Sequence, residues 1–146
     1  MAVIVRDPSN GKLLFCQRCE TDNWQFPQGG IDNGEDVTEA MFRELYEEVG
    51  LGKEDINIVA ISKEWITYDI PTSIRSYVLG GKFKGQIQKW YFVDLVSPKE
   101  KIDLNRDAKP EFDRYEWVTY WYPLGKIIDF KKEAYRKALK EFAEQM

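Results

Sequence analysis

The sequence predicts an α+β fold in which a mixed β-sheet lies between helices. Short β-branched and aromatic stretches fill most of the chain, while only two segments follow the three-and-four spacing of a helix. The strands come in runs rather than one per helix, which disfavours a doubly wound sheet. At 146 residues the chain has the size of one domain, so a single core is expected over residues 1–146.

Ala2–Arg6 and residues 12–17 are apolar runs separated by Pro8-Ser9-Asn10-Gly11, whose Asn-Gly pair signals a β-hairpin. The segment Trp24-Gln25-Phe26-Pro27-Gln28-Gly29-Gly30 reads as a loop, because proline and paired glycines disfavour helix and central strand alike. From Asp36 to Val49 the apolar residues Val37, Ala40, Met41, Leu45 and Val49 recur at helical spacing. Asp36 or Thr38 can cap that helix, and Gly50 can end it. Residues 56–68, 76–79, 86–96 and 115–121 read as strands. Near the C-terminus Ala134, Tyr135, Ala138, Leu139 and Phe142 form one face of a second helix, with Lys, Arg and Glu on the other.

Composition excludes several chemistries. The chain contains no histidine, which removes Ser-His-Asp and Cys-His catalysis and any imidazole acid–base scheme. Its two cysteines, Cys16 and Cys19, have no partner pair and read as free thiols of a reducing compartment, so a zinc site is not expected. No apolar run is long enough to span a bilayer and no signal peptide is visible, so the expected location is the cytoplasm, without membrane contact. Catalysis here must rest on carboxylates, Lys, Tyr or a metal held by oxygen.

The net charge of −4 argues against broad nucleic-acid binding, and no DNA partner is expected, but the charge is segregated. Residues 29–51 carry seven acids against Arg43 alone, whereas residues 126–140 carry six bases against two acids. That division suits an anionic substrate held partly through a hard cation. Within the helix, Glu44 lies one turn before both Glu47 and Glu48, so three carboxylates project from adjoining positions and repel one another. Magnesium or manganese would relieve that repulsion, since both take oxygen ligands and retain sites for water and phosphate. Met41, Leu45 and Val49 are left to anchor the opposite face, and Arg43 can reach Glu39 or Glu35.

The spacing of Gly29, Glu35, Arg43-Glu44, Leu45, Glu47-Glu48, Gly50 and Leu51 resembles the signature of the Nudix hydrolases at every fixed position. The resemblance implies the Nudix fold, an α/β/α sandwich, and metal-dependent hydrolysis of a phosphoanhydride linked to a nucleoside. It implies that Glu44, Glu47 and Glu48 ligate Mg2+ (or Mn2+) with the Gly29 carbonyl, that one of the carboxylates activates water, and that Glu35, Arg43 and Gly50 support the loop and helix. No histidine is needed, because a bound metal itself lowers the pKa of water and neutralises polyphosphate charge.

The flanks narrow the resemblance. Trp24 through Ile31, Gln88-Lys89-Trp90-Tyr91-Phe92, Pro110-Glu111-Phe112-Asp113, Trp117 through Pro123, and Phe130 through Tyr135 are similar to the branch holding bacterial RNA pyrophosphohydrolases and dinucleoside polyphosphate hydrolases. The expected substrate is thus 5′-triphosphate RNA, with diadenosine tetraphosphate as the alternative and a non-catalytic nucleotide or RNA binder further behind. By that resemblance Glu111 joins the metal or catalytic set, Phe130 stacks on a base with Lys131 at a phosphate or base edge, Arg18 contacts RNA and phosphates, and Tyr68 lines the pocket. Relatives carry further residues, including a Tyr-Arg pair, ahead of the first strand, so contacts from that segment are not expected here.

Overall fold

The structure is a computed structural model that describes residues 1–73 and 85–145. The strand expected at residues 76–79 lies outside the described residues. Strands β1 (Ala2–Arg6), β2 (Leu13–Arg18), β3 (Trp24–Gln25), β4 (Ile56–Ile61), β7 (Trp90–Leu95) and β8 (Phe112–Val118) make one mixed sheet. Strands β5 (Ile66–Asp69) and β6 (Gly85–Gln88) form a separate antiparallel pair. Among the described residues, three α-helices accompany them: α1 (Val37–Val49), α2 (Tyr122–Lys126) and α3 (Lys132–Phe142).

The strand interiors explain the layering. In β1 all of Ala2, Val3, Ile4 and Val5 are buried, as a strand enclosed on both faces requires. Ala2 and Ile4 join Phe15, Trp90 and Phe92 in a cluster with α3, while Val3 and Val5 join Leu14, Tyr91 and Val93 in a cluster with α1. Alternate residues therefore face opposite helices, which makes the expected α/β/α sandwich. β1 runs parallel to β7 and antiparallel to β2. The Asn10-Gly11 turn forms, with Gly11 at φ 75° and its amide donating to the Asp7 carbonyl at 2.8 Å.

Several boundaries differ from the sequence reading. The strand expected at 56–68 breaks between β4 and β5, where the Ser62 hydroxyl donates to the Glu64 carbonyl and accepts from the Trp90 amide. Residues 86–96 split between β6 and β7, which belong to different sheets. The strand expected at 115–121 begins at Phe112 and ends at Val118, and α2, too short to show a period, follows it. The loop at 24–30 contains the two-residue β3.

That loop is what the fold delivers to the site. β8 pairs along β2 from Leu13 to Arg18, while β3 meets Cys16 and Gln17. The chain then lies against β1, with the Val3 amide donating to the Pro27 carbonyl at 2.9 Å and a bridge between Ala2 and Gln28. Phe26 is wholly buried, stacked on Tyr135 with centroids 4.9 Å apart, and its amide donates to the Tyr135 hydroxyl at 2.9 Å. Tyr135→Phe keeps the stack but orphans that buried amide, so urea unfolding should show a loss of about 1–3 kcal/mol. An unchanged midpoint would mean that the hydroxyl does not hold the loop.

Candidate active site

α1 begins at Asp36, whose carboxylate accepts from the Thr38 and Glu39 amides at 3.0 and 3.3 Å, satisfying donors that a helix start leaves open. Thr38 itself bonds the Tyr91 hydroxyl at 2.8 Å. α1 ends at Gly50, left-handed at φ 79°, whose amide donates to the Tyr46 carbonyl. The helix is thus held at both ends, and the carboxylates between them are fixed in direction.

Arg43 organises the outer side. Its guanidinium grips Glu35 with two bonds of 2.9 Å, donates to Glu44 at 2.8 Å, reaches Glu47 at 3.5 Å and donates to the Gly30 carbonyl at 3.1 Å. The fork holds the Glu35 carboxyl well down, at about 2, with the Asp32 amide adding a bond. Of the two acids within sequence reach, Arg43 takes Glu35, while Glu39 pairs with Lys53 at 3.0 Å. Arg43 thereby joins the loop at Gly30 and Glu35 to the helix.

The spacing sets the three carboxylates at adjoining positions, and burial separates them. Seven residues is just short of two turns, so Glu48 falls in line with Met41 inside the buried stripe. Glu48 is 8% exposed, whereas the Glu47 side chain is 46% exposed at the rim. Burial pushes the Glu48 carboxyl up to about 9, and repulsion from Glu44 and Glu111 adds to the shift. Burial also raises Glu44, against the pull of Arg43. The Gln28 amide bonds the Glu48 carboxyl, yet Oε2 is buried without a hydrogen-bond partner.

An orphaned carboxylate oxygen beside two other acids is what a cation site leaves when only protein groups are counted, and the all-oxygen donor set suits a hard divalent ion. Gly29 fits the same reading: a Cβ there would overlap the Glu44 carboxylate, so glycine lets Glu44 lie against the loop. The Gly29 carbonyl accepts from the Met1 amino group at 2.8 Å. Among the described residues, no three acids stand as a closed cage. Glu44 and Glu48 share a side-chain hydrogen bond, Arg43 holds the outer carboxylates, and magnesium completes its shell largely with water and phosphate in any case.

Glu111 bridges to a second feature. It stands at the start of β8, 3.5 Å from Arg18 Nη2, and its charge acts on both Glu48 and Lys131. Arg18, Tyr68, Phe130 and Lys131, far apart in sequence, line one cavity together with Gln28 and Gln86. Phe130 leans on Tyr68 with centroids 5.7 Å apart, and Lys131 Nζ lies 5.8 Å from the Tyr68 ring. Lys131 is 7% exposed, donates to Gln25 at 3.3 Å, and is lowered to about 8 by burial and by Arg18. It therefore stays cationic at neutral pH.

Sequence reasoning missed the amides of this wall. The Tyr68 hydroxyl donates to Gln86 at 2.9 Å, and Gln88 donates to Gln28 at 3.2 Å and to Gln86 at 3.3 Å. The signal was present in Gln25 and Gln28 about Pro27, and in Gln86 and Gln88 two apart on β6.

The raised Glu48 carboxyl has a thermodynamic consequence. Between an unfolded value near 4.5 and the folded value near 9, the folded protein binds the extra proton, so metal-free protein loses stability as pH rises through that window. Glu48→Gln should flatten the fall in Tm between about pH 5 and pH 9 measured in chelator. A variant that keeps the wild-type slope would refute the buried-acid account.

The site can be set beside known proteins. The NUDIX domain profile matches residues 1–142. The RNA pyrophosphohydrolase of Aliivibrio fischeri strain MJ11 is 46% identical over 135 residues, 92% of this chain and 79% of that protein. The one from Vibrio cholerae is 44% identical over 135 residues, 92% of this chain and 78% of its own. Among solved structures, E. coli dihydroneopterin triphosphate pyrophosphohydrolase superposes with a TM-score of 0.77 at 20% identity, covering 99% of this chain and 94% of that one. A C. elegans Ap4A hydrolase complex superposes at 0.68 and 19% identity, covering 98% and 97%. These two likenesses show the fold alone. Nudix hydrolases generally use divalent metal ions. With the profile spanning nearly its whole length and such relatives along 92% of it, the chain belongs to the NUDIX family and is a Nudix hydrolase.

Proposed function

We propose that this chain, acting as a single Nudix domain, removes pyrophosphate from 5′-triphosphate RNA ends with Mg2+ (or Mn2+), leaving 5′-monophosphate ends and so promoting mRNA decay. The observation that carries this reading is the similarity, at 44–46% identity, to proteins named RNA pyrophosphohydrolase. The geometry supports it, because one wall offers acids for a cation and the adjoining cavity offers cations and rings for a nucleotide.

Glu44, Glu47, Glu48 and Glu111, with the Gly29 carbonyl, would hold the metal. When bound, it lowers the pKa of water and neutralises charge on the phosphates. Water bonds to phosphorus, the anhydride bond between the α and β phosphates breaks, and pyrophosphate leaves. A carboxylate of the set Glu44, Glu47, Glu48 and Glu111 takes the proton of the attacking water. Arg18 and Lys131 face the phosphates and base edges, Phe130 stacks on a base, and Tyr68 backs that ring. Arg43, already committed to Glu35, holds the loop and helix rather than the substrate.

Purified protein with magnesium, given equal amounts of 5′-triphosphorylated RNA and diadenosine tetraphosphate, should form 5′-monophosphate RNA and pyrophosphate first. Preferential cleavage of the dinucleotide would overturn the RNA reading and make Phe130 an adenine platform. Glu48→Gln should lower kcat by at least about a hundredfold with the circular dichroism spectrum unchanged. Full activity with unaltered magnesium dependence would remove Glu48 from the set. Phe130→Ala should raise KM for RNA far more than for a nucleoside triphosphate, while equal effects would make the ring merely structural.

A further inference from the structure

We infer that the groove between β5 and α3, centred on Trp65, is a second binding site for single-stranded RNA, taking nucleotides downstream of the 5′ end; this rests on the RNA reading above. The indole is 44% exposed, high for so large an apolar ring. Lys89 Nζ lies 5.7 Å from its centroid and donates to the Lys63 carbonyl at 3.3 Å. Lys137 and Glu141 line the groove from α3, opposite Lys63, Trp65 and Thr67. Glu64 also lines it, and Glu141 accepts from the Lys63 amide at 3.0 Å, which engages part of its charge. An open ring flanked by three lysines is how a protein receives a base and its phosphates without reading sequence.

Two elements carry this groove from the candidate active site. On β5, Tyr68 lines the active-site cavity and Trp65 precedes that strand by one residue. Three residues at strand rise is about 10 Å. On α3, Lys131 at the helix start lines the cavity and Lys137 lines the groove. Six residues at helical rise is about 9 Å. Both lengths are axial separations only: the odd step on β5 turns Trp65 to the exposed face opposite buried Tyr68, and six residues on α3 turn Lys137 about 120° from Lys131, so RNA passing from cavity to groove rounds the β5 edge. A strand whose first nucleotides occupy the cavity at Phe130 thus needs more than about three further nucleotides to reach Trp65, a distance that an octamer covers and a dinucleotide does not.

The test compares 5′-triphosphorylated di- and octaribonucleotides, and diadenosine tetraphosphate, on wild type, Trp65→Ala, Trp65→Phe and Lys137→Ala. Trp65→Ala should lower kcat/KM for the octamer between about fivefold and about a hundredfold, and leave the two short substrates unchanged. Those unchanged rates also report an intact fold. Trp65→Phe should restore most of the loss. Lys137→Ala should reduce the salt slope of octamer binding by about 0.7. Equal loss on all three substrates, or none on the octamer, would overturn the site. Should wild type leave both RNAs uncleaved, the RNA reading fails, and binding of a 5′-hydroxyl octaribonucleotide decides the groove alone. Weaker binding by Trp65→Ala keeps the groove, and equal binding removes it.

Discussion

Like charges crowded on one helix turn are the constraint on which the rest depends. Glu44 and Glu48 are one turn apart, Glu47 lies beside them, and Glu111 adds its charge from just before β8. In water such a group would simply splay apart, at a cost of a few tenths of a kcal/mol per pair. Here Glu48 is buried, where charge is far more expensive, and burial together with Glu44 and Glu111 pushes its carboxyl far above the usual carboxylate range. A fold gains nothing from that arrangement unless a cation balances it.

The remaining structure holds those acids in place. Arg43 ties the outer carboxylates to Glu35, so the repulsion is absorbed on the solvent side while the inner side stays open. Gly29 lets the loop meet Glu44 without a side chain between them. Phe26 anchors that loop in the core against Tyr135, and β1, enclosed on both faces, gives it a rigid edge to lie along. Glu111 links the cavity residues Arg18 and Lys131 to the acids electrostatically.

The sequence displayed much of this. Helix α1 was legible from its period and its two caps, because both are local signals. The Nudix spacing named the acids, and the flanks named Arg18, Tyr68, Phe130 and Lys131. What stayed hidden was tertiary. Periodicity drew one strand through Ser62, since a hydroxyl that turns the chain by bonding Trp90 and Glu64 leaves no apolar mark. Spacing put the three glutamates on one face but did not separate buried Glu48 from exposed Glu47, which differ by a single residue. The glutamine wall had only a weak signal, the spacing of Gln25, Gln28, Gln86 and Gln88, because amides carry no charge pattern.

Burial raises the Glu48 carboxyl, so a divalent cation entering the site would have to displace its proton. Calorimetric titration of magnesium or manganese into metal-free protein at pH 7, in two buffers of different ionisation enthalpy, measures this directly. Cation binding should release a proton from the wild type, and Glu48→Gln should abolish the release. Binding without proton release, or release retained in the variant, would contradict the claim.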